Sequence, residues 1–292
     1  MNGILLRLAA PLMSFGEHAA FHYRDTLPFP SRSALIGMFA AADGRSREEA
    51  LAPDPATGKA PYTDLEFTVR VDRPGTRHTD FHTVGGGRGH QQGLHTSSGG
   101  HRPAEKSTLV SERVYLADAV FTLAVQGPDR LLEHLVHRLE QPAFAPYLGR
   151  RACVPHEPLV LRSPHPDPVG ELLHHVPLSL SAPPRPGHST VPVTFIWENP
   201  PTHVPAARSE REVADVPLDF TPTRRSHRTR RTWHSIEPLP ATLYAPPPAL
   251  TELTAYIHQE TPSCDQPSCR HPRCHGDADP DPSQPPQPRC AP

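Results

Sequence analysis

The chain has 292 residues, of which 36% are hydrophobic and 21% are charged, and its formal net charge is −2. No stretch approaches the roughly 18 consecutive apolar residues of a membrane-spanning helix, so such a helix is excluded. The near-neutral charge neither favours nor excludes nucleic acid as a partner. Cys153 is the single cysteine of the first 260 residues, which indicates a fold without disulfides in a cytoplasmic protein.

Prolines divide the chain into two parts of different character. Nine of the 40 prolines lie in the first 141 residues and 31 in the last 151. Proline breaks helices and removes a hydrogen-bond donor from a sheet. Regular helices and a sheet are therefore predicted for the first part, and short strands, turns and extended segments for the second.

The first elements follow from apolar spacing and helix signals. Residues 4–9 are apolar apart from one arginine and predict a buried strand. Ser31 then precedes a run with apolar residues at helical spacing, which is typical of an N-cap. Gly44 is predicted to end this helix.

The next segments complete a recognisable order. Residues 65–72 alternate strictly and predict a half-buried strand, with Leu65, Phe67, Val69 and Val71 facing in and Glu66, Thr68, Arg70 and Asp72 facing solvent. Residues 114–125 predict another strand. A second helix is predicted from Gly127-Pro128-Asp129, and a strand near 158–161. This order favours an α+β domain on the ferredoxin-like plan, an architecture that often presents an open sheet face to RNA but also serves unrelated functions.

Further strands are predicted at 190–197 and 229–239, before proline clusters and charges dominate from about residue 241. The last segment is expected to be a disordered, proline-rich tail. The predicted organisation is a ferredoxin-like domain with a long insertion, a β-rich C-terminal part and the tail, at residues 1–160, 81–112, 161–245 and 246–292, respectively.

The insertion contains an unusual glycine-rich stretch. Residues 81–104 hold seven glycines, four histidines and two arginines, and no acidic residue. Long irregular insertions are uncommon and tend to be functional, and this one could approach a phosphate backbone closely. A plain flexible loop is the other interpretation.

A second stretch is rich in arginine. Residues 221–235 contain five arginines, two histidines and one tryptophan, without an acid. Arginine interleaved with an aromatic residue suits phosphate pairing and base stacking. A solvated basic strand, or a patch that binds an acidic protein, would have the same composition.

Arg24, Ser31, Arg32 and Ser33 gather around the start of the first helix. A helix N-terminus offers free N–H groups and the positive end of a dipole. Arg32 is unfavourable in a first turn unless an anion lies nearby, so the segment weakly favours an anion site.

Two chemistries have weaker support. A metal-independent ribonuclease would need a base and a cation, for which His22, Tyr23 and His82 are candidates. Zinc would need the cysteines and histidines of the tail, whose spacing fits no common site. No cofactor and no metal are therefore predicted.

Four ordered blocks of sequence carry a family resemblance. The segment LLRLAAPLMSFGEHAAFHYRDTLPFPSRSALIGMFAAADG is followed by FTVRVDRPGTRHTDFHT, RVYLADAVFTLAVQG and PYLGRRACVP. Together they resemble the CasD family, the small backbone subunit of the type I-E CRISPR Cascade, over roughly residues 3–240.

The resemblance implies a RAMP fold of the ferredoxin-like (RRM-like) type with a thumb-like insertion. It also implies a non-catalytic protein that binds the 5′ handle of CRISPR RNA and caps the backbone of the complex. Its partners would be the other backbone subunits and the large subunit, with target DNA met only within the complex and no membrane involved. The RNA-binding residues carried over, together with the arginine-rich segment, are Arg24, Ser31, Arg32, Ser33, Arg73, His82, Arg113, Tyr115, Arg150, Arg151, Arg224, Arg225, Arg228 and Arg231.

Two alternatives stay open from the sequence. One is a metal-independent endoribonuclease that processes CRISPR repeat RNA, an activity found in a related subtype. The other is a protein-interaction module without RNA contact. Salt-dependent RNA affinity and cleavage of repeat RNA would separate the three.

Overall fold

A computed structural model of the chain describes residues 2–16, 19–20, 22–53, 58, 60–85, 100, 108–201, 210–221 and 224–259. Met1–His258 form one compact unit, and Gln259–Pro292 form a second, of which only Gln259 is described. The glycine-rich stretch lies mostly outside the described residues, and so does the tail from residue 260. The predicted flexibility of the glycine-rich stretch and the predicted disorder of the tail therefore stay predictions.

The described residues form two sheets and four α-helices. The strands are β1 (Gly3–Ala9), β2 (Leu12–Met13), β3 (Ala19–Ala20), β4 (Tyr23–Arg24), β5 (Glu66–Arg73), β6 (Thr76–Val84), β7 (Leu109–Ala117), β8 (Val120–Gln126), β9 (Val160–His165), β10 (Thr190–Trp197), β11 (Glu210–Asp219) and β12 (Ser226–Pro240). The helices are α1 (Arg32–Ala42), α2 (Asp129–Glu140), α3 (Pro168–His174) and α4 (Leu250–Ile257). The chain is thus a mixed α and β protein, as predicted.

The first sheet has the strand order β11-β12-β10-β5-β8-β1-β9, and all its neighbours are antiparallel. Helix α1 connects β1 to β5, and α2 connects β8 to β9. The C-terminal strands extend this sheet beyond β5 instead of forming a separate body, so the predicted boundary at 160/161 divides a single compact unit.

The two predicted helices form for the predicted local reasons. The Ser31 side chain caps α1 by accepting a hydrogen bond from the Ala34 amide. Gly44 follows α1 with φ of +81°, a conformation that glycine adopts without steric cost. Helix α2 buries Leu132, Leu135 and Leu139, which lie on one face at helical spacing.

Both faces of the first sheet are covered at its central strands β1, β5 and β8. One face packs against α1 and α2 around Phe39, Leu123 and Leu132. The other carries a second core, in which Leu172 of α3 and Leu253 of α4 are fully buried. The sheet face that a ferredoxin-like domain often leaves open to RNA is therefore filled here by α3, α4 and the segments beside them.

The covering layer also corrects the prediction for β5. Leu65, Phe67 and Val69 are buried as predicted, but Arg70 and Asp72, assigned to solvent, are buried as well. The Arg70 guanidinium donates hydrogen bonds to main-chain oxygens in and just after α3. The polar positions of this strand thus face a second protein layer.

The strand predicted over 114–125 is two strands in different sheets. Asp118, with φ of +59°, turns the chain between β7 and β8. Strand β7 belongs to the second sheet, with the order β2-β7-β4-β3, and β6 pairs with β7 as well. The predicted insertion therefore leaves the domain along β6 and returns along β7.

The tail boundary at 246 is also wrong. A 3-10 turn (Ala241–Leu243) follows β12, and α4 comes after it. Tyr256 of α4 donates a hydrogen bond to the Glu171 carboxylate, and the guanidinium of Arg162 lies 4.4 Å from the Tyr256 ring centroid. Residues 246–257 are thus part of the folded unit, while the predicted disorder concerns residues outside the described ranges.

Two C-terminal truncations are expected to differ sharply in their effect on stability. Deletion of 262–292 is expected to leave the folded unit intact, whereas deletion of 249–292 removes α4. Losing the buried Leu253 and Tyr256 should lower the free energy of unfolding by about 3–6 kcal/mol, since burying one such side chain is worth about 1.5–3 kcal/mol. Urea unfolding of both variants measures this, and equal stability would mean that α4 contributes nothing.

Candidate nucleic-acid interface

One face of the second sheet brings together predicted residues from separate blocks of sequence. Arg24 of β4 lies beside Arg113 of β7 in the ladder. On the other side of β7, His82 of β6 lies beside Ser111. Because paired residues share a face and alternate residues of a strand return to it, Arg24, His82, Arg113 and Tyr115 project to the same side.

The loop after α2 adds Arg150 to this face. Its guanidinium carbon lies 4.8 Å from the centroid of the Tyr115 ring, within cation–π distance. The Ser14 amide donates to the Leu148 carbonyl oxygen, and the Ser14 hydroxyl donates to the Val114 carbonyl oxygen of β7. These bonds hold the loop against the sheet. We call Arg24, His82, Arg113, Tyr115 and Arg150 the arginine face.

Charge is concentrated on the arginine face. Burial lowers the pKa of the Arg150 guanidinium, and the neighbouring positive charges of Arg113 and Arg24 lower it further. Asp80 is the register partner of Arg113 and lies 3.6 Å from His82, so one carboxylate shares the surface. A bound polyanion would offset the unfavourable effect that the two neighbouring arginine charges have on the charged form of Arg150.

The residues at the start of α1 have other roles. Ser31 is 1% exposed and acts as the cap. The backbone amide of Arg32 donates to Asp215 at 2.7 Å, and its guanidinium donates to Glu198 at 2.6 Å. The anion expected at this helix start is thus a carboxylate of the chain itself, and Arg32 is held inside the protein.

A buried ionic network surrounds that helix start. The Arg230 guanidinium binds Asp215 at 2.6 Å and lies 3.0 Å from Glu198. Burial raises the pKa of Glu198, although Arg230 and Arg32 act in the opposite direction. Sequence reasoning missed Asp215 and Glu198, because nothing in their spacing distinguishes them from surface carboxylates.

The arginines around β12 divide into two groups. Arg224 lies 3.5 Å from Asp219, and Arg231 lies 2.9 Å from Glu210. The acids that neutralise them come from the neighbouring strand, where a count within the arginine-rich stretch could not find them. Arg225 and Arg228 are exposed and have no ion pair with any residue in the described ranges.

The remaining predicted residues lie apart. Arg73 is 3.2 Å from Asp118 and ties the end of β5 to the turn between β7 and β8. Arg151 is exposed beside Arg150. Ser33 is buried and lines a cleft beside α1, together with Arg45, Arg47 and Tyr147, which the sequence did not single out.

The ribonuclease candidates do not share one face. Tyr23 pairs with Glu112, and His82 pairs with Ser111, the preceding residue of β7. Adjacent residues of a strand point to opposite faces, so Tyr23 and His82 project away from each other. Within the described part of the chain, no cluster of three potential metal ligands occurs, and no helix is long and apolar enough to span a membrane.

Comparisons with known proteins show which family the chain resembles. The family model described as "CRISPR-associated protein (Cas_Cas5)" matches residues 3–232. The "CRISPR system Cascade subunit CasD" of Escherichia coli (strain K12) is 31% identical over 189 residues, covering 60% of this chain and 77% of that protein.

Solved structures are similar as well. A chain of a "CRISPR RNA-guided surveillance complex" superimposes with a TM-score of 0.75 and 45% identity, covering 88% of this chain and all of that one. A "Crystal structure of Cas protein" gives a TM-score of 0.51 and 27% identity, covering 83% and 97%. Since the family model spans most of the folded unit and the CasD relative exceeds 30% identity, the chain belongs to the Cas5/CasD family of CRISPR-associated proteins.

Proposed function

We propose that this protein is the non-catalytic subunit of a type I-E CRISPR Cascade complex that binds the 5′ handle of CRISPR RNA in the cytoplasm. The observation that carries the proposal is the convergence of Arg24, Arg113 and Arg150 on one face of the second sheet. The names of the CasD relative and of the similar surveillance complex support the same assignment.

We interpret the fold as a ferredoxin-like RAMP core with a thumb. The order β1-α1-β5-β8-α2-β9 along the chain, with β5-β8-β1-β9 in the sheet, is that of two interleaved β-α-β units. The paired strands β6 and β7 would be the base of the thumb-like insertion. Because the second layer covers the sheet of this core, RNA would lie on the second sheet instead.

The proposed RNA contacts are a reduced form of the predicted set. Arg24, Arg113 and Arg150 would pair with phosphates, because guanidinium groups bind them in two-pronged geometry. Exposed aromatic and imidazole rings can stack on bases, which is the role we give to His82. Arg225, Arg228 and Arg151 are exposed and stay among the proposed RNA contacts. Arg32 is removed from them, because it stabilises the start of α1 inside the protein.

The proposal includes other proteins. A subunit that caps a Cascade backbone would contact a neighbouring backbone subunit and the large subunit. Phe81 and Val110 on the β6–β7 ribbon are 70% and 47% exposed, which fits a surface buried in an assembly. The similar chain from a surveillance complex supports such partners.

The test is RNA binding by the full chain. The Arg113→Ala/Arg150→Ala double variant should bind a fluorescent handle RNA about 10- to 100-fold more weakly, because it loses two charge-assisted contacts. The log–log salt slope should flatten by roughly 0.7 per lost contact with a single strand. Fluorescence anisotropy at several salt concentrations measures both quantities.

The matched control is Arg130→Ala/Arg185→Ala, which removes the same charge at two exposed positions outside the arginine face. Control binding should stay close to that of the unmodified chain. Equal losses in both variants would reduce the arginine face to a nonspecific charge effect, and no RNA binding by the unmodified chain would favour the protein-interaction module. Cleavage of repeat RNA without added metal would favour the endoribonuclease.

A further inference from the structure

A cleft of about 380 Å³ opens beside the outer face of α1. Ser33, Gly37 and Ala41 line its floor on the helix. Arg47, Tyr147 and Arg225 also line the cleft, from segments outside the helix. The volume falls in the range of clefts that hold small ligands, about 300–1,000 Å³. We call it the α1 cleft.

The charge of the α1 cleft has one sign. Three arginines line it, at positions 45, 47 and 225, and no carboxylate is among its lining residues. Arg45 binds Asp43 at 2.9 Å, whereas Arg47 and Arg225 are exposed and have no ion pair within the described residues. The cleft is therefore prepared for an anionic ligand, with two guanidinium groups available to it.

Gly37 points to the same conclusion. Glycine inside a helix costs about 1 kcal/mol relative to alanine. A Cβ atom added here would meet only Phe220 Cζ, at 4.0 Å, which is an ordinary contact. Packing of the fold does not require a glycine at this position, whereas a large side chain would project into the cleft.

The cleft and the arginine face adjoin one loop. Tyr147 and Gly149 line the cleft, and Arg150 of the same loop lies over Tyr115 on the arginine face. Gly149 and Arg150 are consecutive, so an RNA strand that crosses this loop from the arginine face would come next to the cleft. Tyr147 would offer a stacking surface where that strand enters.

We propose that the α1 cleft holds one nucleotide of the bound RNA, with its phosphate between Arg47 and Arg225 and its base against Tyr147. The proposal rests on the proposed function, because it extends the path of the same RNA. The proposal places a base-contacting pocket beside α1, where the sequence had indicated only the capping residue Ser31 and the nearby Ser33.

An abasic scan with two variants tests the proposal. A handle RNA is synthesised with each base removed in turn, and binding to the full chain is measured by anisotropy. One position should lose about 5- to 150-fold in affinity, the range of a single stacked base. Gly37→Leu, which fills the cleft, should weaken binding of the intact RNA by a similar factor, and removing that base should then cost nothing further.

The controls separate blocking from misfolding and from charge. Glu133→Leu adds the same side chain at an exposed position of α2 and should bind like the unmodified chain. Arg47→Ala leaves the cleft open and should weaken binding with a flatter salt slope. Gly37→Ala, which adds one methyl group, should have a smaller effect than Gly37→Leu.

Each outcome decides the matter. If Gly37→Leu binds like the unmodified chain, or keeps the full abasic penalty, the cleft holds no nucleotide, and the arginine face can still be the RNA site. If the unmodified chain binds no RNA at any salt concentration, the proposed function fails and this proposal fails with it. Loss of binding in Glu133→Leu as well would show a general effect of the added side chain and overturn the cleft.

Discussion

Replacing Asp72 by alanine is expected to lower the free energy of unfolding by about 3–5 kcal/mol, the usual effect of breaking a buried ion pair. Asp72 accepts hydrogen bonds from Arg7 at 3.0 Å and from Arg70 at 2.7 Å. Both arginines are fully buried. Without Asp72, the nearest remaining carboxylate of the network is Glu157, which binds Arg7 at 2.5 Å, so one buried positive charge loses its partner.

The size of this effect is large relative to a whole domain, whose stability is typically about 5–15 kcal/mol. Urea unfolding compares Asp72→Ala with Glu210→Ala, which breaks a half-exposed pair with Arg231 and should cost no more than about 1 kcal/mol. Asp72→Asn keeps the shape and should fall between the two. A loss below 1 kcal/mol in Asp72→Ala would mean that water enters the network and replaces the carboxylate.

Replacing Gly149 by alanine is expected to cost about 2–5 kcal/mol and to disturb the arginine face. Gly149 has φ of +86°, which strains a residue with a Cβ atom by about 1–2 kcal/mol. The added Cβ would also lie 1.7 Å from the Ser14 carbonyl oxygen, so the loop must move away from Ser14. This overlap adds about 1–3 kcal/mol to the loss of stability. Arg150 would then lose its position over Tyr115, and RNA affinity should fall, because Arg150 is one of the proposed phosphate contacts.

Gly44→Ala separates the two contributions. Gly44 also has positive φ, at +81°, but its added Cβ would be 3.1 Å from a neighbouring side-chain carbon, at Ala143, and not against backbone. This control should show the conformational strain with only a small added cost from the side-chain contact, and it should leave RNA binding unchanged. Measurements of unfolding and of anisotropy on both variants give the comparison. Equal stability of the two would contradict the overlap with Ser14.

The helices and individual strands could be predicted because their causes are local. Ser31 caps α1, Gly44 ends it, and the leucines of α2 repeat at helical spacing. Strand β10 matches the prediction for 190–197 at both ends. These features depend on residues close in sequence, whose spacing is visible without the fold.

The predictions that failed depended on distant neighbours. The alternation of β5 was visible, but α3 and α4 decide that its polar side is buried. Composition placed the tail at 246, whereas Leu253 and Tyr256 pack α4 onto the folded unit. The sequence does not distinguish a polar residue that contacts water from one that is paired inside the core.

The sequence by itself determined the family, the mixed α and β class and all five residues of the arginine face, because ordered motifs and residue types can be identified without knowing how the chain packs. Tertiary structure decided which arginines are available. It pairs Arg32 and Arg230 with Asp215 and Glu198, and it leaves Arg225 and Arg228 exposed. The availability of a charge depends on the carboxylates that the fold brings beside it, and the sequence alone does not show which carboxylates those are.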